Sequence, residues 1–201
     1  EVQRGRQYEV VSLLTTVTQD YDRVSMHGVR RALLERQAES LGIPLAQVPI
    51  SRQTSNQEYE DKMRAALAGF QKAGVSACVF GDLFLEDLRK YREKNLAQIG
   101  MKGLFPLWDR DTAELARTMI RLGFKAIVTC VDSKALDKRF AGRTIDEAFL
   151  ADLPPGIDPC GENGEFHSFV YDGPNFNQHV ALTVGEPVQR ESFYFCDLIP
   201  A

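Results

Sequence analysis

The 201-residue chain predicts an α/β protein, with a Rossmann-like, doubly wound, mostly parallel sheet over residues 1–103 and an α+β lobe over residues 104–201. Three observations carry that reading. Apolar β-branched runs alternate with helical-period stretches through the first half, as repeated strand–helix–strand units do. After Gly103 the pattern restarts. From Pro154 onward the sequence is punctuated by Gly and Pro and rich in strand formers.

Tyr8 to Thr16 is nearly continuous in apolar and β-branched residues, which fits a strand buried on both faces. Gly28 to Leu41 reads as a helix, with Val29, Leu33, Leu34 and Ala38 on one stripe and Gly42 as its stop. Leu45 to Ile50 is a short strand. Ser55 and Glu58 form a capping box for a helix running to Gly74, with Met63, Leu67 and Phe70 inward. Ser76 to Phe80 is a third strand, ended by Gly81-Asp82, and a helix follows from Leu85 to Ile99. Asp111 and Glu114 cap a helix closed by Gly123, and Phe124 to Val131 is a strand. Thr144 and Glu147 open a short helix. The remaining strands are Phe166 to Tyr171, Val180 to Val184 and Ser192 to Leu198. The two lobes are expected to share a broad interface.

Composition excludes several classes of function. With 44% hydrophobic and 26% charged residues and a formal charge of −4, this is globular-protein composition without a basic footprint for nucleic acid or an anionic membrane. No apolar run approaches the roughly 18 residues of a membrane span. The four cysteines (Cys78, Cys130, Cys160, Cys196) are far apart, with no Cys-x-x-Cys pair and no Asn-x-Ser/Thr sequon in the chain. A reducing cytoplasm is the expected compartment. The chain opens on Glu1 rather than Met, and residues 1–7 read like the tail of a helix, so the expectation is that the gene product begins further upstream.

Familiar chemical motifs are absent: no Gly-x-x-x-x-Gly-Lys-Ser/Thr, no Gly-x-Ser-x-Gly, no His-Glu-x-x-His. His27, His167 and His179 lack metal-ligand spacing, and no metal ligands are assigned. Open α/β sheets bind ligands at strand ends, which singles out Gly81-Asp82. Asp82 either meets a ligand or caps the following helix. Arg89, Arg92 and Glu93 share a helix face, ordinarily a solvated one and alternatively a phosphate clamp. The densest stretch runs from Asp158 to Pro174. Asn163-Gly164 is a hairpin-turn signal, and period two sets Glu165, His167, Phe169 and Tyr171 on one face. A turn alone does not require the surrounding Cys160, Glu162, Glu165 and His167, so a functional loop is the reading. No basic neighbour lowers the pKa of Cys160, which argues against a nucleophile.

Cys160-Gly-Glu-Asn-Gly-Glu-Phe-His-Ser-Phe169 and Asp172-Gly-Pro174 resemble the Cys-Gly-Glu-Gly-Gly-Glu-Tyr-Glu-Thr signature of the diphthine–ammonia ligase family, ATP pyrophosphatases of the PP-loop type. Gly81-Asp82, Tyr91-Arg92-Glu93, Pro106-Leu-Trp108 and Gly142-x-Thr144-x-Asp146 match in order, so the resemblance covers nearly the whole chain. Asn163, Phe166 and His167 look like the bacterial branch. Two departures stand out. The family's Ser-Gly-Gly-Lys-Asp-Ser phosphate loop is missing, its place falling just before Glu1, and diphthamide belongs to archaeal and eukaryotic elongation factor.

The resemblance implies an ATP-dependent ligase that forms an amide through an acyl-adenylate, the alternative being a nucleotide-binding or regulatory module. It implies ATP and Mg2+, a small-molecule or protein carboxylate acceptor, and ammonia or an amine as partners, and leaves a homo-oligomer open. Glu162 and Glu165 become the catalytic candidates, and Gly81, Asp82 and Arg92 the nucleotide-binding ones. His27, Glu93, Trp108, Asp146, Cys160, Gly161, Gly164 and His167 become the substrate-side candidates.

Overall fold

A computed structural model describes residues 1–201. The molecule is a mixed α/β protein with parallel sheets in its first half and an antiparallel sheet in its second. After a single-turn helix α1 (Val2–Gly5), strand β1 (Leu13–Thr18) lies parallel to β3 (Leu45–Ile50), with a short antiparallel β2 (Arg23–Val24) on its other side. The crossover is α2 (Arg31–Leu41), ended by Gly42 at φ 66°, a left-handed position that glycine takes without Cβ strain. Helix α3 (Asn56–Lys72) starts where Ser55 Oγ accepts the Glu58 amide, as the capping box predicts. Strands β4 (Ala77–Val79) and β5 (Lys102–Leu104) are parallel and joined by α4 (Glu86–Ala97).

In the second half, α5 (Thr112–Arg121) starts at Asp111, whose carboxylate accepts the Glu114 amide at 2.7 Å. Strand β6 (Lys125–Asp132), a 3-10 turn (Lys138–Phe140) and α6 (Glu147–Asp152) precede β7 (Phe166–Asp172), β8 (Leu182–Arg190) and β9 (Phe193–Pro200). The sheet runs β7-β6-β9-β8, antiparallel throughout.

Two cores result. Val128, Val131, Phe140, Phe149 and Phe166 pack between this sheet and α6. Val29 and Leu33 from the first half meet Ile127, Phe169, Val180 and Leu198 from the second, with Leu33 0% and Leu198 1% exposed. Each fully buried apolar side chain contributes roughly 1.5–3 kcal/mol, so this shared core holds the halves together.

The structure differs from the sequence reading in several places, the longest extension being β8, which runs to Arg190 rather than Val184. The first strand starts at Leu13, because residues 8–12 have no strand to pair with, and Tyr8 and Val11 stay exposed. The opening helix of the crossover begins at Arg31, after the turn that holds His27. The last helix is capped by Asp146 rather than Thr144, its carboxylate accepting the Phe149 amide at 2.7 Å. The parallel strands form two separate sheets instead of one continuous doubly wound one. β4 is paired only to β5, and residues 13–15 of β1 only to β3. A cleft of about 340 Å³ lies between these edges, lined by Val10, Leu13, Leu41, Val79, Phe80 and Pro106, among others. No helix is long and apolar enough to cross a membrane.

Candidate functional site

Strand β4 delivers Phe80-Gly81-Asp82 to the carboxyl end of the sheet. A Cβ at Gly81 would meet nothing within 4 Å, so its backbone is open to close approach. Asp82 is 9% exposed and takes a two-point contact from Arg92 on α4, Nε to Oδ2 at 2.6 Å and Nη2 to Oδ1 at 3.2 Å. The guanidinium also lies 4.4 Å from the Phe80 ring centre. Asp82 therefore does not cap α4, whose N-cap is Leu85 with no side-chain bond. The charged face of α4 divides. Arg92 turns to Asp82, while Arg89 pairs with Glu93 at 3.0 Å and lies over the Phe105 and Trp108 rings at 4.8 and 4.6 Å.

The loop from Asp158 to Glu165 is built by its own carboxylates. Asp158 Oδ2 accepts the amides of Cys160 (3.2 Å) and Glu162 (2.8 Å). Glu165, 7% exposed, accepts from the Asp158 amide (3.0 Å), the Asn163 amide (3.1 Å) and Asn163 Nδ2 (3.1 Å). Gly161 sits at φ 70°, and a Cβ there would stand 2.7 Å from the Phe166 carbonyl oxygen. Its glycine is thus required by the loop's own closure. Asn163-Gly164 makes no hairpin, because the strand that follows pairs with β6 and not with the chain preceding the loop.

Glu162 joins the two sets. Its Oε1 accepts the Leu83 amide at 2.7 Å, directly after Gly81-Asp82, so the loop is docked on the strand end of the other half. Burial raises the Glu162 pKa, the Leu83 and Phe84 amides oppose this, and nearby Asp82 and Asp158 add to it. At Glu165 burial also pushes upward, but the hydrogen bonds outweigh it and its pKa falls. Burial and the charges of Asp158 and Glu162 push the Cys160 thiol up to about 12. It is a neutral thiol that donates to the Thr112 carbonyl at 3.3 Å.

Other predicted residues lie apart from this contact. Asp146 is committed to its helix cap. His27 and His167 stack on each other, ring centres 4.6 Å apart, along the seam between the halves. The sequence reading gave no role to Asp158 or to the Leu83 amide. Asp158, immediately before a proline and four residues before Glu162, carries a turn signal that could have been found, whereas a backbone donor leaves no trace in a sequence.

No three His, Cys, Asp or Glu side chains converge on a metal position. Asp82, Asp158 and Glu165 are already held by Arg92 and by amide donors. The side chains form no all-protein cage for a divalent ion, and magnesium carried by nucleotide phosphates does not require one.

Residues 3–103 match the family described as Diphthamide synthase N-terminal domain, and residues 111–198 match the Diphthamide synthase C-terminal domain. The chain belongs to the diphthamide synthase family. Among curated relatives, the diphthine–ammonia ligase of Schizosaccharomyces pombe is 26% identical over 210 residues, covering 95% of this chain and 35% of that protein. The Danio rerio diphthine–ammonia ligase is 30% identical over 167 residues, covering 75% of this chain and 65% of its own length. That of Homo sapiens is 29% identical over 137 residues, covering 65% and 51%. The chain thus spans from about a third to just under two thirds of these diphthamide synthase relatives.

Proposed function

We propose that this chain forms the core of an ATP-dependent, amide-forming ligase that joins ammonia or an amine to a carboxylate through an acyl-adenylate. The supporting observation is the Glu162–Leu83 hydrogen bond, which couples the signature loop to the strand end where α/β sheets hold ligands. Membership in a family whose named relatives are diphthine–ammonia ligases supports the reaction class. The acceptor of this chain is a carboxylate of unassigned structure.

ATP, when bound, would supply the adenylyl group that activates the carboxylate, with pyrophosphate leaving. The chain's own residues do the rest. Gly81 lets the nucleotide approach the backbone, and the Asp82–Arg92 pair fixes the shape of that strand end. The cleft lies between the free edge of β4 and the first residues of β1, and a further strand paired there would complete a doubly wound sheet and could carry a phosphate loop to the same end. Glu162, held by the Leu83 and Phe84 amides, sits beside the negative charges of Asp82 and Asp158, which favour an incoming ammonium or amine there. Glu165 acts as a positioning residue: it orders the loop that presents Glu162.

A second reading is a nucleotide-binding module without ligation. It is favoured by the commitment of Glu165 to three internal donors, which leaves the loop fewer groups for chemistry. Pyrophosphate release from ATP by the protein separates the two. Release that depends on both a carboxylate and ammonium supports the ligase, and ATP binding without such release supports the module.

A further inference from the structure

The seam between the halves carries a titratable pair that the ligase reading leaves unused. His27 lies in the turn 25–28, between Met26 at φ 66° and Gly28 at φ 69°. The turn is pressed onto the antiparallel sheet: a Cβ on Gly28 would stand 2.9 Å from the Phe195 ring. From the other half, β7 brings His167, and the two half-buried rings stack at 4.6 Å with a 43° tilt.

The surrounding charges are already partnered. On β6 the register partner of His167 is Cys130, a thiol pushed up to about 12, and Asp132 beyond it accepts the Lys134 amide. On β9, Asp197 is held by Arg23 at 2.8 Å and Arg30 at 2.6 Å. On β7 itself, Asp172 pairs with Lys125, and Glu165 before it binds its own loop. No carboxylate pairs with either imidazole to compensate a proton there.

We propose that the His27–His167 stack is a proton-operated catch between the two halves, closed while both rings are neutral and released when either takes a proton. A proton on one ring must be buried beside the other, with no counter-charge to offset it. Burial and the neighbouring imidazole hold His167 down to about 4. Burial lowers His27 as well, a backbone hydrogen bond with Ser168 opposing it in part. Both native values lie below the unfolded one of about 6.5, so the open chain takes protons first. The contribution is complete above that value and drains away as pH falls toward the native value. For His167 alone the folded-to-unfolded ratio falls about thirty-fold between roughly pH 7.5 and pH 5. The proposal is independent of the ligase reading.

The test is denaturant unfolding of the complete chain across that pH range. NMR titration of both imidazoles and hydrogen exchange of the turn amides at residues 27–29 accompany it. The expected results are a fall of about thirty-fold or more, a His167 midpoint below about 5, and faster exchange in the turn at acid pH. In H27F/H167F, which keeps two rings but no titration, the fall should shrink below about threefold. H167Q, isolated in parallel, should remove most of it even where the double variant folds poorly. An imidazole midpoint near 6.5 for His167, an unchanged pH slope in these variants, or exchange in the turn that ignores pH would overturn the proposal.

Discussion

Glu162 sets its Oε1 2.7 Å from the backbone amide of Leu83, and this bond ties the signature loop of one half to the strand end of the other. Glu162→Ala leaves a partly buried amide without an acceptor and should cost about 1–3 kcal/mol in denaturant unfolding. Glu162→Gln keeps an acceptor and should cost less than half as much. With its acceptor present, the same Gln variant should lower amide formation by about tenfold or more, since the charge is gone.

Glu165 provides the contrasting case. Its three donors make Glu165→Gln a stability variant, with a loss of about 1.5–3 kcal/mol near neutral pH. Its native pKa is depressed, so its contribution is present above the unfolded value of about 4.3 and is lost as pH falls through the native one. Acid unfolding followed by circular dichroism should show a component in wild type that the Gln variant lacks.

Breaking the Asp82–Arg92 pair from the cationic side leaves a nearly buried carboxylate. Arg92→Met should destabilise by about 2–3 kcal/mol, and adding Asp82→Asn should recover at least about 1 kcal/mol of that. A double-mutant cycle by urea unfolding measures the coupling directly.

Gly161 and Gly164 both lie in left-handed backbone, but only the first is crowded by the Phe166 carbonyl. Gly161→Ala should therefore cost above about 2 kcal/mol, and Gly164→Ala about 1 kcal/mol. Thermal melts of the two variants check the order, and equal losses would leave the Phe166 contact without consequence.

Local chemistry made much of the fold readable. Ser55, Asp111 and Gly42 perform at helix ends the roles their residue types predict, because a cap is decided within four residues. Thr144 misled for a different reason: it is bridged in extended backbone to Ile127 on β6, so the helix starts two residues later, where Asp146 accepts the Phe149 amide. Tyr8 to Leu13 misled differently, since apolar content favours a strand but only a neighbour supplies its hydrogen bonds.

The sequence by itself determined the alternation of elements, most helix ends, and the stretch from Cys160 to Glu165 as the chemically loaded one. Tertiary structure alone decided what those side chains do. Glu162 and Glu165 are three residues apart and chemically identical. One reaches across to an amide 79 residues away and the other folds back on its own loop, because donors of different origin stand within bonding distance of each. Partners far apart in sequence are chosen by packing, and packing is a property of the whole chain.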